Sequence, residues 1–218
     1  GDPDAVPEPK AQRNFTDPDS RIMRSKPDGF IYGYNAQAVV DEAHQVIVAT
    51  ALTTSTTDTR SLPALVDGVE TNTGRRPKRL LADAGYQSDD NLAHLAGKGI
   101  DAYVAVRRDQ HSRRPAPAPR GRIPTALSPR GRMDRKLRTK RGRAEYARRK
   151  VIIEPVFGQI KEALGFRRFS LRGKAKVSAE WHLVCAVHDL AKLFRSGRAG
   201  RVIEGWDRPR AAGALGWA

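Results

Sequence analysis

Apolar and polar positions alternate in two stretches near the start of the chain. Residues 30–40 (FIYGYNAQAVV) and 45–53 (QVIVATALT) carry β-branched and aromatic residues, and Asp41-Glu42-Ala43-His44 between them reads as a turn. That pattern predicts a hairpin. The period then changes. Leu62, Leu65, Val66 and Val69 recur at helical spacing, which predicts a helix over 59–71 with Asp58 as its N-cap and Gly74 as its stop. Residues 77–82 (PKRLLA) read as a short buried strand ending at Asp83-Ala84-Gly85-Tyr86. Ser88 caps a helix over 89–97 whose apolar face holds Leu92 and Leu95, and a strand over 101–106 (DAYVAV) follows Gly99. The order hairpin, helix, strand, helix, strand implies an α/β fold with parallel strand pairs.

Beyond residue 107 the apolar pattern fades. Residues 107–143 are rich in Arg, Pro and Gly and read as a basic, partly irregular insertion, with 113–124 (RRPAPAPRGRIP) as its loop-like core. Helical spacing returns over 144–164, where Ile153, Val156, Phe157 and Ile160 form a stripe; Pro155 should kink this helix or mark an N-terminal turn. A last helix is expected over 178–195, capped by Ser178, with Trp181, Val184, Cys185 and Leu193 among its apolar positions and His182 and His188 on its surface. Residues 1–15 read as a linker, 16–196 as one domain, and 197–218 as a flexible tail.

Charge changes this picture more than composition does. Hydrophobic residues make up 39% of the 218-residue chain, enough for a core, and aromatics only 6%, so that core rests on Leu, Val, Ile and Ala. The net charge is +16, and residues 107–150 hold 17 Lys and Arg against three acidic residues, a local +14. The basicity therefore belongs to one segment and points to a polyanionic partner, most often nucleic acid. A lone cysteine, Cys185, excludes disulfides and Cys-based zinc sites within the chain and suits a reducing cytoplasm. No apolar run approaches the roughly 18 residues of a membrane span, and no signal peptide or nucleotide-binding loop is visible. The sequence starts at Gly1 and opens Pro- and Asp-rich, which reads as a segment of a longer protein.

Two carboxylates stand out. Asp83 follows a buried strand, where α/β sheets place ligands, or it begins a turn and caps the next helix. Glu154 lies beside the apolar stripe of the 144–164 helix, either in a salt bridge to Lys150 or Lys161 or at a site. Taken together, and flanked by most of the positive charge, they suit Mg²⁺-dependent phosphoryl transfer. Mg²⁺ prefers oxygen ligands, and an ion pair about 3.5–4 Å apart can activate a nucleophile and stabilise a leaving oxygen. The basic segment would hold a phosphodiester backbone without reading sequence.

The runs GYNAQAVVDE (33–42), LADAGY (81–86), RMDRKLRTKRGRAEYARRK (132–150) and EPVFGQIKEALGFRRFSLRG (154–173) resemble insertion-sequence transposases of the IS1182 group, within the IS4/IS5-like DDE class. The resemblance implies an RNase H-like mixed sheet flanked by helices, in which two Asp and one Glu bind two Mg²⁺ ions, with Mn²⁺ able to substitute. It places the second Asp at Asp83 and the Glu at Glu154, and makes Tyr146, Arg149, Glu154 and Lys161 an approximation of a Tyr–Arg–Glu–Lys signature. The Arg-to-Glu gap is one residue longer than the usual pattern, so Lys150 is an alternative to Arg149. The first Asp usually sits in an Asp-Gly-Thr strand, and no such motif occurs in this sequence. Asp17 and Asp19, in TDPDSRIM (16–23), are the alternatives within the chain; otherwise the residue lies upstream. Asp58 matches a family position but reads as a cap. Tyr86 reads equally as packing or as a DNA contact, and Arg167, Arg168 and Arg172 as DNA contacts or a solvated face. The implied partners are double-stranded DNA, as transposon ends and target, and a second subunit in a synaptic homodimer. The implied setting is the bacterial cytoplasm, at the nucleoid when DNA is bound.

Overall fold

A computed structural model describes residues 13–25, 29–107 and 117–197. The expected hairpin is present as β3 (Asn35–Val40) against β4 (Ile47–Thr53), antiparallel. Its turn is held by Asp41, whose carboxylate accepts from His44 N and whose carbonyl accepts from Gln45 N. Gln45 takes a left-handed φ of 55° to close it. A register shift at Val39/Val40 bends the pair. The stretch predicted as one strand over 30–40 is two. Residues Gly29–Gly33 form β2 and pair instead with β1 (Arg21–Ser25), and Tyr34 breaks the run by donating its hydroxyl to both carboxylate oxygens of Asp17 at 2.8 Å.

Helix α1 (Leu62–Thr73) buries the four residues that predicted it, and Gly74 closes it with φ 65° and an N–H donated to Glu70 O. Asp58 does not cap this helix. A short 3₁₀ turn intervenes, and no side-chain cap bond forms there, because the Asp58 carboxylate is taken by other donors. Strand β5 (Arg79–Ala82) runs parallel to β6 (Asp101–Val104), joined through α2 (Asp89–Gly97), whose cap Ser88 accepts from Asn91 N at 3.1 Å as predicted.

The basic segment is more ordered than its composition suggests. Residues Pro129–Arg138 form α3, capped by Ser128 and anchored by buried Met133. Its cations are largely consumed locally. Arg132 donates to Leu127 O and Thr125 O, Arg135 to Arg120 O, and Arg138 to Pro117 O, so the helix clips the preceding loop through main-chain carbonyls. Part of the expected loop core, 113–116, lies outside the described residues.

Helix α4 (Lys140–Gly158) begins at Thr139, whose hydroxyl accepts from Gly142 N, and continues through Pro155 into a π turn over Gln159–Ala163. Pro155 has no N–H for the carbonyl of Val151, four residues back. Gln45 supplies the missing donor at 2.9 Å, so the β3–β4 turn satisfies the helix at its proline. Helix α5 (Lys174–Arg195) starts at Gly173 rather than at Ser178. His188, expected at the surface, is buried between Gln159 and Asp189; His182 is exposed.

The β3–β4 pair lies between two layers. Ala36, Ala38 and Val40 pack with Val156, Ile160, Trp181 and Cys185 of the α4–α5 side, while Gly68 of α1 approaches Ala49 from the other. Trp181 stacks on Phe157 at 6.1 Å and donates its indole N–H to Gln37 O. A second cluster joins β5, β6, α1, α2 and α3 around Leu95, Val66 and Val104, each contributing about 1.5–3 kcal/mol by burial. Among the described residues the strands pair as three two-stranded sheets, β1 with β2, β3 with β4 and β5 with β6.

Candidate active site

Asp83 leaves β5 in extended conformation, and its Oδ1 accepts from Gly85 N at 2.9 Å, so it does begin a turn. Its carboxylate is not alone there. Asp58, from the loop before α1, sits against Gly85 as well: a side chain at Gly85 would collide with Asp58 Oδ2 and stand 3.1 Å from Asp83 Oδ1. The two loops are stapled together. Buried Asn91 donates to Thr59 O at 2.7 Å and Tyr86 O at 2.8 Å, and Thr59 Oγ1 donates to Gly85 O.

Two side-chain amides from one face of β3 hold Asp58. Asn35 Nδ2 and Gln37 Nε2 both donate to Asp58 Oδ1, at 2.5 and 2.8 Å. Tyr86 packs beside the pair, and burial, then the charges of Asp58 and Asp83, push its phenol above the ordinary range. It is therefore neutral at physiological pH.

Glu154 lies on α4, exposed, with no hydrogen-bond or ion-pair partner among the described residues; the alternative salt bridge to Lys150 or Lys161 does not form. Helix α4 is fixed at three points: Arg79 to Glu145 at 2.9 Å, Arg148 to Glu42, and Gln45 to Val151. Glu154, Arg149 and Lys161 line a groove of about 1050 Å³ that Asp58 and Asp83 line as well. Arg149 also lies over the Tyr146 ring at 5.7 Å.

Other expected residues lie elsewhere. Asp19 Oδ2 accepts from Lys174 N at 2.9 Å and Asp17 Oδ1 from Gly173 N at 3.2 Å, so both carboxylates serve the N-terminus of α5 and neither lines the groove. Arg167 pairs with Glu162, and Arg168, Arg172 and Lys150 are exposed. Asn35, Gln37 and Asp58 were the residues that sequence reasoning did not assign to a site. The available signal was two amides two positions apart in an otherwise apolar strand, in GYNAQ.

The donor set is all carboxylate oxygen, the chemistry Mg²⁺ prefers. Yet among the described residues no three His, Cys, Asp or Glu side chains converge closely enough to hold a metal ion. No helix among those residues is long and apolar enough to cross a membrane.

Acidic loops that line one groove together with Arg149 and Lys161 define the class as an α/β protein with a charged site. The chain belongs to the transposase DDE domain family, whose model matches residues 9–190. It is a DDE transposase domain of the insertion-sequence kind, a family in which DNA binding and divalent metal ions are typical. No curated protein and no solved structure matches it.

Proposed function

We propose that residues 16–196 form an RNase H-like catalytic domain of an IS1182-group transposase, which cuts DNA at transposon ends and joins 3′-OH ends to target phosphodiesters. The observation that carries this reading is the groove shared by Asp58, Asp83, Glu154, Arg149 and Lys161. Asp83 and Glu154 would hold Mg²⁺, with Asp58 beside Asp83. Bound Mg²⁺ would neutralise phosphate charge and polarise the attacking hydroxyl. Arg149 and Lys161 orient the phosphodiester through charge-assisted hydrogen bonds. Tyr86, neutral and next to both aspartates, offers its hydroxyl as a hydrogen-bond donor to a phosphate oxygen. Double-stranded DNA is the substrate, and a homodimer would bring two ends together. The setting is the bacterial cytoplasm.

A specific observation favours a second reading. The absence of a three-carboxylate cluster among the described residues suits a domain that binds DNA but cannot cut it unless another segment supplies a ligand. Mg²⁺-dependent cleavage of transposon-end DNA separates the two. The chain of Gly1–Ala218 and the whole protein encoded with it are assayed side by side, each with Asp83→Asn as control. Cleavage by neither, or cleavage that survives Asp83→Asn, overturns the catalytic reading.

A further inference from the structure

The β1–β2 ribbon is left uncovered by the rest of the fold. Residues 21–24 and 29–33 include no buried side chain, and among the described residues no helix or third strand packs extensively on the pair. Yet β2 carries three large apolar or aromatic side chains in a row: Phe30 is 76% exposed, Ile31 41% and Tyr32 42%. A two-stranded pair alone in water is marginally stable at best, and exposed apolar patches mark interaction sites.

The register sorts these side chains. Residues opposite one another in an antiparallel pair share a face, and every second residue of a strand returns to it. Arg24 stands opposite Phe30 and Ile22 opposite Tyr32, so one face of the ribbon presents Ile22, Arg24, Phe30 and Tyr32. Phe30 and Tyr32 are about 7 Å apart along the strand. That is roughly twice the 3.4 Å step between stacked nucleotides, which leaves room for one base between them.

Charge selects the partner. Strands β1 and β2 carry Arg21 and Arg24 and no acidic residue. Asp17 and Asp19, just ahead of β1, are bonded to Tyr34, Gly173 and Lys174. Exposed rings beside a cation suit a ligand that offers both a flat π face and negative charge, which is a nucleic-acid strand with unpaired bases. A closed duplex hides its base faces, and a ribbon reading the major groove would need donors and acceptors where Ile22 and Phe30 stand. The ribbon also leads directly into the acidic site. Gly33 ends β2, and Asn35, two residues on, donates to Asp58 beside Asp83.

We propose that the β1–β2 ribbon is a clamp for unpaired DNA bases, which stack on Phe30 and Tyr32 while Arg24 meets the phosphates. The proposal deepens the transposase reading and rests on DNA being the substrate: the ribbon holds an opened strand end next to the loops of Asp58 and Asp83.

Fluorescence anisotropy without metal tests it on the Gly1–Ala218 chain with two probes, a blunt DNA duplex and the same duplex ending in a run of unpaired thymines. The tailed duplex is expected to bind more tightly. Phe30→Ala combined with Tyr32→Ala should lower its affinity by about tenfold or more, the scale of one stacked base, and leave the blunt duplex nearly unchanged. Where the alanines upset the ribbon, two bulk-keeping variants decide: Phe30→Trp should retain the preference for the tail, and Phe30→Leu, which lacks a π face, should lose it. Equal affinity for the two probes, an equal loss on both, or a Phe30→Leu chain that binds like the original overturns the proposal. A dimer in size-exclusion chromatography that Phe30→Leu dissociates, with both DNA affinities intact, also overturns it and assigns the ribbon to a second copy. Tail preference that persists while Mg²⁺-dependent cleavage fails removes only the proposed activity, and cleavage without tail preference removes only the clamp.

Discussion

Asp58 and Asp83, 25 positions apart in the chain, both crowd the space that a side chain at Gly85 would fill. Gly85 is not in a left-handed conformation, so the requirement for glycine here is space between two carboxylates rather than backbone freedom.

Gly85→Ala should therefore destabilise the domain by about 1–3 kcal/mol, the usual cost of overpacking. Urea denaturation measures it. Removing the Asp58 carboxylate relieves the collision, so Asp58→Ala with Gly85→Ala should cost less than the sum of the two single changes. Additive costs would mean that Asp58 does not occupy this space.

Asp17 and Asp19 hold the start of α5 from more than 150 positions away. Asp17→Ala strands the Tyr34 hydroxyl and should cost about 1–3 kcal/mol. Asp19→Ala, losing a bond to Lys174 N, should cost about 0.5–2 kcal/mol. Both variants should lower the melting temperature while leaving cleavage by the folded whole protein in place. Abolished cleavage with unchanged stability for Asp19→Ala would make it a metal ligand instead.

DNA affinity should depend on cations in the groove more than on those of α3. Lys161→Ala is expected to lower the slope of log affinity against log salt by about one. Arg132→Ala should leave that slope nearly unchanged, because its guanidinium is bonded to Leu127 O and Thr125 O. Fluorescence anisotropy over a salt series distinguishes them, and equal slopes for the two variants would place the DNA on α3.

A hydrogen bond from Lys136 holds the Asp101 carboxyl below its ordinary range, and Lys136 also lies over the Tyr103 ring at 4.0 Å. A depressed carboxylate contributes stability that is full above its unfolded pKa, about 3.9, and is lost as pH falls further. Asp101→Asn should thus lower stability at neutral pH and flatten the decline below about pH 4. Melts at pH 7 and pH 3 that shift equally would contradict the pairing.

The sequence by itself determined the local elements. Periodicity marked α1 and the hairpin, and Ser88 and Gly74 marked helix ends. Those features depend on neighbours a few positions apart, and so they can be read along the chain. Only the tertiary structure decided what long-range partners impose. It turned Asp58 from a cap into the neighbour of Asp83, because Asn35 and Gln37 reach it from another strand. It moved Asp17 and Asp19 to α5, buried His188 against Gln159, and spent the arginines of α3 on nearby carbonyls. It also gathered residues of β3, β5, α1 and α4 around one groove, since packing between layers and not any run of residues brings them together.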